Sequence, residues 1–301
     1  MKQITASVYT EDQFSISPQF RGSNPSFVST SEGVVMIDTP YMPTDALKWR
    51  DTIAQKGEIG YIINTHHHYD HTAGNYFFPG AVVSHDLGRE RLSAPLSRVA
   101  ASDRSRDAAK AGMKKEEYIR SLVREADPEG VSLLDERYHL KLPSITFSEQ
   151  LHLYRGEHSF ELMYQPGHTI DHIGVYLPRE KVFFAGDNFT NESQPSLAQC
   201  YPLQWIELLK KIETMDIEVI VPGHGEVGDL RKVREFRLFI EEYVESVREA
   251  IGKGMSKGEA ADRISFEARY PPVHPGAEMQ RMNVLRLYEM LETEPGPGRI
   301  E

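Results

Sequence analysis

Three histidines and one aspartate at the spacing His-x-His-x-Asp-His, directly after a short apolar run, constrain this chain more than any other feature. The segment 65–71 reads Thr-His-His-His-Tyr-Asp-His, and the preceding run, 61–64, is predicted to be a buried strand. Alternate residues of an extended chain point the same way, so we expect His66, His68 and Asp70 to share one side. The last histidine of the segment then turns in beside them.

The side chains of this segment have the chemistry of a metal site. Imidazole nitrogen and carboxylate oxygen bind zinc at about 2.0–2.2 Å, and the candidates are His66, His68, Asp70 and His71. A purification tag would lie at a terminus and would not be interrupted, so the internal position favours metal ligation. Because one zinc takes about four ligands, a site with two metals requires further candidates elsewhere in the chain.

Three such candidates each follow an apolar, strand-like run and a glycine. They are His168 after residues 160–165, Asp187 after residues 181–185 and His224 after residues 217–221. Glycine lets the backbone turn sharply and approach a site closely. A single Gly-His after a strand is more often a turn than a ligand. Three such endings in this order, after the segment 65–71, indicate one shared site.

These residues resemble the ligand motifs of the metallo-β-lactamase superfamily, in its metallohydrolase branch. The first motif falls on 65–71, the next histidine on His168, the bridging aspartate on Asp187 and the last histidine on His224. The resemblance extends over about 33–225. It implies an α/β (α+β) fold, the αβ/βα sandwich, in which two mixed β-sheets lie face to face and are flanked by helices.

By this resemblance the chain holds two metal ions. His66, His68 and His168 would hold one ion, Asp70, His71 and His224 would hold the other, and Asp187 would bridge them. Two Zn²⁺ ions are expected, although such ligands also accept Mn²⁺ or Fe²⁺. The implied nucleophile is a metal-bridging hydroxide. Asp70 is then the catalytic residue, because its carboxylate can hold the proton of that hydroxide.

Further residues are candidate partners of the ligands or substrate contacts: Asp38, Tyr41, Tyr69, Asn75, Asp171, His172 and Asn188. Asp38 ends the apolar run 33–37, where this family often has an acid that bonds the second ring nitrogen of a ligand histidine. A turn residue is the alternative. Asp171 stands where the family pattern has glycine, so Asp171 and His172 could form a pair beside the ligands or contact substrate. The alternative is a turn-start acid with a packed histidine.

The length of 301 residues suits one large domain or two of ordinary size. We expect a catalytic domain over 1–228 and a C-terminal helical extension over 229–301. Residues 86–141 are rich in Arg, Lys, Glu and Ala at helical spacing, which indicates a helical insertion in the catalytic domain. That insertion could cover the site as a lid or only pack on the scaffold.

Two features describe the extension. Ser256 and Glu259 have the spacing of a capping box, which predicts the start of a helix. The apolar spacing over 276–293 predicts a last helix whose apolar face is buried within its own domain or forms a homodimer interface.

The composition limits the kinds of partner that we expect this chain to bind. The net charge of −11 disfavours nucleic acid, because contacts to phosphate dominate that affinity. The single cysteine excludes an intramolecular disulfide. The sequence shows neither an apolar leader nor a run of the roughly 20 apolar residues of a membrane span, so we expect a cytoplasmic protein without a membrane partner.

The expected activity is hydrolysis of a small-molecule ester, lactone or thioester, as in lactonases and thioesterases of this family. Lactamases with a cysteine at the bridging position are disfavoured because this chain has Asp187 there. Quorum-signal lactonases often carry a tyrosine at the position of Thr190, which weakens that assignment. The alternatives are an amide or β-lactam hydrolase, a metal-bound sensor or effector with little turnover and, more distantly, an iron dioxygenase.

Overall fold

Two β-sheets lie face to face at the centre of the computed structural model, which describes residues 1–14, 22–100, 102–273 and 277–293. In this part of the chain, the first sheet has seven strands in chain order. They are β1 (Lys2–Gln3), β2 (Val8–Thr10), β3 (Ser26–Thr30), β4 (Gly33–Ile37), β5 (Ile59–Ile63), β6 (Ala81–His85) and β7 (Ile145–Phe147). Neighbours are antiparallel from β1 to β4 and parallel from β4 to β7, so the sheet is mixed.

The second sheet has five strands among the described residues, in the order β12-β11-β10-β9-β8. They are β8 (Gln150–Arg155), β9 (His158–Tyr164), β10 (Ile173–Leu177), β11 (Val182–Thr190) and β12 (Val219–His224). Only the pairing of β11 with β12 is parallel among these described strands. Both β11 and β12 end at the edge where the predicted ligands lie.

Outside the two sheets, the described residues form ten α-helices. They are α1 (Pro43–Ala54), α2 (Tyr69–Thr72), α3 (Asp86–Ser93), α4 (Leu96–Val99), α5 (Asp103–Lys110), α6 (Lys115–Ala126), α7 (Pro202–Ile212), α8 (Leu230–Gly252), α9 (Lys257–Arg263) and α10 (Ala277–Glu292). Short 3₁₀ helices span Ala73–Phe77 and Gly130–Leu133. No helix in the described ranges is long and apolar enough to cross a membrane.

Successive side chains of β4 belong alternately to two different cores. Val35 and Ile37 point into the core between the two sheets, whereas Val34 and Met36 point to the opposite face and pack with Trp49 of α1. Successive side chains of a strand point to opposite faces, so an apolar strand can serve two cores at once.

The second sheet is covered in the same way on its outer face. Phe183 and Ile220 of this sheet share a core with Trp205 of α7, Phe239 of α8 and Leu287 of α10. The layers are therefore helix, sheet, sheet and helix, which confirms the predicted αβ/βα sandwich.

The C-terminal helices form part of this shared core. The predicted capping box is confirmed, because Ser256 and Glu259 each bond the other's backbone amide at the start of α9. On α10, Val284, Leu287 and Leu291 are buried within the chain. A homodimer through these helices stays a prediction, and residues 294–301 lie outside the described part.

The segment 86–141 contains α3 to α6 and packs beside the ligand segment. Ile119 and Val123 of α6 form one apolar cluster with Tyr41 and Ala73 of the catalytic scaffold. This packing sets the insertion against the loop that carries the first ligand motif.

Candidate metal centre

The seven predicted ligands meet at one edge of the sandwich: they follow β5 and β9, end β12 and, for Asp187, lie within β11. They form two clusters: His66, His68, His168 and Asp187 in one, and Asp70, His71 and His224 in the other. Within each cluster the possible ligand atoms lie within 4.8 Å of one another. We call these the three-histidine half and the Asp70 half of the centre.

Asp187 stands between the two halves, with one carboxylate oxygen toward each. Its Oδ2 lies 3.4 Å from Nε2 of His168 and 3.9 Å from Nε2 of His66. Its Oδ1 lies 3.2 Å from Nε2 of His71 and 3.4 Å from Nε2 of His224. A carboxylate in this position can donate one oxygen to each of two cations.

The ligand segment is not extended throughout, so that prediction is wrong for its second part. Residues Tyr69–Thr72 form the helical turn α2, and His68 is the extended residue before it. The turn lets consecutive side chains reach the same centre: Oδ2 of Asp70 lies 3.7 Å from Nε2 of His71 and 3.2 Å from Nε2 of His224. Strand alternation could not predict this, because it assumes a period of two along the whole segment.

Two glycines allow the strand ends to close around the centre. A Cβ on Gly223 would overlap the Asp187 carboxylate. Gly186 has φ +48°, and a Cβ there would lie 2.7 Å from both Nε2 of His172 and Oγ1 of Thr65. Each glycine directly precedes a predicted ligand, and both permit the close approach that their positions suggested.

Asp38 contacts a ligand histidine from outside the centre. Its Oδ2 lies 2.8 Å from Nδ1 of His71, while Oδ1 accepts from the Thr65 amide at 2.8 Å and Oδ2 from the Thr65 hydroxyl at 2.7 Å. The backbone of Asp38 has φ +56°, a conformation that aspartate tolerates better than most residues. Asp38 thereby directs Nε2 of His71 into the centre.

Other histidines are held in the same manner through the ring nitrogen that faces away. The partners are the Gly22 carbonyl for Nδ1 of His224 at 3.0 Å, Oγ1 of Thr65 for Nδ1 of His66 at 3.1 Å and Oε1 of Gln199 for Nε2 of His68 at 2.9 Å. Outer hydrogen bonds of this kind orient metal-binding imidazoles. Sequence reasoning missed Gly22, Thr65 and Gln199, since nothing in their local sequence marks them.

The three-histidine half is held in its neutral form. Burial, reinforced by the neighbouring His71 and His68, lowers the pKa of His66 well below its ordinary value. Burial likewise lowers the pKa of His168, and burial together with His67 lowers the pKa of His68 to about 4. Neutral imidazole is the form that binds a metal ion.

The Asp70 half attracts positive charge instead. Burial alone would lower the pKa of His71, but the carboxylates of Asp187 and Asp38 raise it well above its usual range. Burial is also outweighed at His224, where the carboxylates of Asp187 and Asp70 raise the pKa to about 9. A bound divalent cation would be stabilised by the same carboxylates.

The donor set fits such a cation. Nε2 of His66 is buried and makes no hydrogen bond with any described residue. Nδ1 of His68 and Nε2 of His168 face each other at 3.1 Å. Imidazole nitrogens with nearby carboxylates suit zinc, iron and related divalent ions.

Asn75 lies in a buried network behind the Asp70 half. Its Nδ2 donates to Oδ1 of Asn64 at 2.7 Å, and its Oδ1 accepts from Oγ1 of Thr39 at 3.2 Å. The backbone amide of Thr39 and Nδ2 of Asn64 donate to the carbonyl of His71, at 3.1 and 3.3 Å. Asn75 therefore supports the backbone of a predicted ligand.

Asn188 and His172 lie behind the three-histidine half. Oδ1 of Asn188 accepts from the backbone amide of His168 at 2.9 Å, and its Nδ2 lies 3.0 Å from Nδ1 of His172. The ring of His172 stacks on His66 with centroids 5.0 Å apart. These contacts hold the backbone of His168 and the ring of His66.

Asp171 and His172 contact different partners and do not bond each other, and contact with substrate stays a prediction. Oδ1 of Asp171 lies 2.7 Å from Nδ1 of His67, and both side chains are buried. Burial opposes the charge on Asp171, but His67 outweighs it and lowers the pKa of the carboxyl. Sequence reasoning missed His67, because alternation only placed it away from the ligands.

Tyrosines line the side of the centre that faces the insertion. The ring of Tyr69 meets that of Tyr118 on α6, with centroids 6.4 Å apart. Burial and the nearby Tyr118 raise the pKa of both Tyr69 and Tyr41, so these side chains stay neutral phenols. The insertion thus contributes an aromatic surface beside the ligand segment.

Comparison with known proteins agrees with this geometry. The sequence model of the Metallo-beta-lactamase superfamily matches residues 18–224, and the chain belongs to this superfamily of metal-dependent hydrolases. The match covers every predicted ligand and ends at the last one, His224.

Individual relatives are distant. The chain is 31% identical to the Beta-lactamase-like protein 2 homolog of Caenorhabditis elegans over 93 residues, which are 31% of this chain and 30% of that protein. It is 22% identical to the Metallo-beta-lactamase type 2 of Elizabethkingia meningoseptica over 229 residues, 73% of this chain and 76% of that protein. The stereoselective inverting sec-alkylsulfatase Pisa1 from Pseudomonas sp. is 15% identical, with a TM-score of 0.67 over 98% of this chain and 50% of that chain. This last similarity extends the shared fold over the C-terminal helices.

Proposed function

We propose that this protein is a binuclear metal-dependent hydrolase of small-molecule esters, lactones or thioesters. The observation that carries the proposal is the position of Asp187, whose two carboxylate oxygens face different sets of ligands. A site for one cation would not need a carboxylate between two complete sets of donors.

The side chains assigned to the two ions are those of the three-histidine half and the Asp70 half, with Asp187 shared. Zinc is the proposed ion, because imidazole nitrogens predominate among the donors, and Mn²⁺ and Fe²⁺ are the alternatives. Two such ions, when bound, supply a water activated near neutral pH and a Lewis acid for the substrate oxygen.

The residues of the chain orient these groups. Asp38 holds Nδ1 of His71 and the Gly22 carbonyl holds Nδ1 of His224, so each Nε2 is directed inward. The carboxylate of Asp70 lies beside both rings and is proposed to take the proton of the attacking water. It would then pass that proton to the leaving group.

Aromatic side chains beside the ligand segment are consistent with the proposed small-molecule substrate. Tyr41 and Tyr69 remain neutral next to the ligand segment, and Tyr118 adds an aromatic ring from the insertion. Apolar and aromatic walls with a few polar groups are typical of small-molecule sites.

The test is turnover by purified protein on a panel of lactones, thioesters, simple esters and a β-lactam. Turnover is measured as the release of protons. The proposal expects turnover of an ester, lactone or thioester that a chelator abolishes and added Zn²⁺ restores. Turnover that persists after complete removal of metal would contradict it.

Amide or β-lactam hydrolysis is a second candidate, since the Elizabethkingia relative is a Metallo-beta-lactamase type 2. A secondary alkyl sulfate belongs in the same panel, because the sulfatase fold covers nearly the whole chain. Protein that holds two metals and turns over none of these compounds would favour the sensor or effector hypothesis.

A further inference from the structure

Gln199 lies between a predicted metal ligand and the helical insertion. Its Oε1 is 2.9 Å from Nε2 of His68. Its Nε2 donates to the carbonyl of Val99, the last residue of α4, at 3.3 Å. One half-buried amide therefore contacts two parts of the chain that are about 30 residues apart in sequence.

The two contacts together determine which nitrogen of His68 carries the proton. A backbone carbonyl can only accept, so the amide nitrogen of Gln199 must face Val99. The amide oxygen then faces His68 and can only accept, which requires a proton on Nε2 of that ring. Nδ1 of His68 is left with its lone pair, and this is the atom that faces Nε2 of His168 at 3.1 Å.

The loop that carries Gln199 is anchored on both sides. The amide of Leu197 donates to Oδ1 of Asn283 on α10 at 2.7 Å, and Nδ2 of Asn283 donates to the carbonyl of Pro195 at 2.9 Å. On the other side, the amide of Tyr201 donates to the carbonyl of Gly167 at 2.8 Å. The C-terminal helix and the loop of His168 thus fix the backbone from which Gln199 extends.

We infer that Gln199 is a positioning residue that makes His68 an Nδ1 donor to the metal centre and ties it to the insertion. This inference rests on the proposed function, because it concerns a ligand of the proposed centre. Partners of this kind affect metal affinity even though they do not touch the ion. The amide also makes the order of the insertion depend on the same side chain.

Two variants separate the two contacts. Gln199→Ala removes both hydrogen bonds. Gln199→Glu keeps an acceptor for Nε2 of His68 but cannot donate to the Val99 carbonyl. Gln204→Ala is the matched control, since Gln204 is an exposed glutamine on α7.

The first measurement is Zn²⁺ affinity by competition with a chromogenic chelator, with the spectrum of the Co²⁺-loaded protein beside it. We expect Gln199→Ala to bind one of its two ions about 10–100-fold more weakly, while Gln199→Glu and Gln204→Ala bind both as the wild type does. The second measurement is trypsin cleavage within residues 86–141, which we expect to be faster in Gln199→Glu than in Gln204→Ala.

Equal affinity in Gln199→Ala and Gln204→Ala overturns the inference while leaving the proposed function intact. A loss of affinity in Gln199→Glu as large as in Gln199→Ala overturns it too, because the acceptor would then not be what matters. Wild-type protein that binds no Zn²⁺ or Co²⁺ overturns both the inference and the proposed function. If Gln199→Ala does not fold, Gln199→Glu still tests the contact with Val99, and trypsin cleavage no faster than in Gln204→Ala would overturn that part of the inference.

Discussion

The two halves of the candidate centre hold their histidines in different ways. In the three-histidine half, the outer nitrogens of His66 and His68 bond a hydroxyl and an amide, and burial lowers the pKa values of both rings. In the Asp70 half, His71 contacts the carboxylate of Asp38, and its pKa is raised despite burial. Burial therefore outweighs the single carboxylate of Asp187 at His66, whereas several nearby carboxylates outweigh burial at His71.

This difference indicates that one half is ready to bind metal as neutral imidazoles, whereas the other draws in positive charge through its acids. Asp187 contacts ligands of both halves, so a substitution there should affect both halves at once.

Asp187→Asn should have the largest effect. The variant removes the charge that both halves share, so we expect two-metal binding to be lost and kcat/KM to fall by at least about 10³-fold. Metal content after dialysis and turnover of the best substrate are the measurements. Asp51→Asn, at an exposed position of α1, is the control. Retention of two ions by Asp187→Asn would show that Asp187 is not shared between them.

Asp70→Asn should affect one half and spare the other. The amide cannot hold a proton from water, so we expect kcat to fall by about 10²–10⁴-fold. The three-histidine half should keep its ion, which a metal titration with one remaining tight equivalent would show. Near-wild-type turnover would exclude Asp70 as the catalytic residue.

Asp38→Asn should lower the pKa of His71 and so make the Asp70 half more like the three-histidine half. Asparagine tolerates φ +56° and can still face Thr65, so the fold should be retained, but His71 loses its charged partner. We expect the Asp70 half to bind its ion about 10–100-fold more weakly. A stepwise Co²⁺ titration measures both affinities, and equal weakening of both halves would argue against a local role for Asp38.

Lys115→Met tests a buried charge outside both halves and should have the smallest effect. Nζ of Lys115 donates to the carbonyls of Leu92 and Arg91 in the last turn of α3, at 2.6 and 3.0 Å. Burial lowers the pKa of Lys115 to about 8, below its value in the unfolded chain.

The unfolded chain therefore binds more protons above pH 8, and the free energy of unfolding should rise with pH through that range. We expect Lys115→Met to remove a rise on the order of 1 kcal/mol, after allowance for water at the ammonium. Denaturant unfolding of both proteins at two pH values measures this difference. Identical pH slopes would contradict the prediction, and unchanged metal affinity is expected throughout.

Much of the fold and of the donor set could be predicted from the sequence. Three of the predicted ligands, His168, Asp187 and His224, directly follow a glycine, and the glycine before Asp187 or His224 has a direct steric reason. Apolar runs of strand length and a capping box at Ser256 are local signals, so they survive in the folded chain.

The errors and omissions have one common cause. The prediction that Asp70 lies on an extended segment was wrong, because a helical turn begins directly after His68. His67 finds Asp171 across about 100 residues of sequence, and Asp171 does not turn to its neighbour His172. Pairings at such separations depend on how the two sheets and the connecting loops pack.

The sequence by itself thus determined the chemistry of this protein: the kinds of donor atoms, their order along the chain and the sandwich that carries them. Only the tertiary structure decided how each donor is oriented. Oriented side chains need partners for their outer atoms, and here these come from Asp38, Gly22 and Gln199. The family resemblance indicated Asp38, but Gly22 and Gln199 leave no local pattern, because a hydrogen bond requires proximity in space and not in sequence.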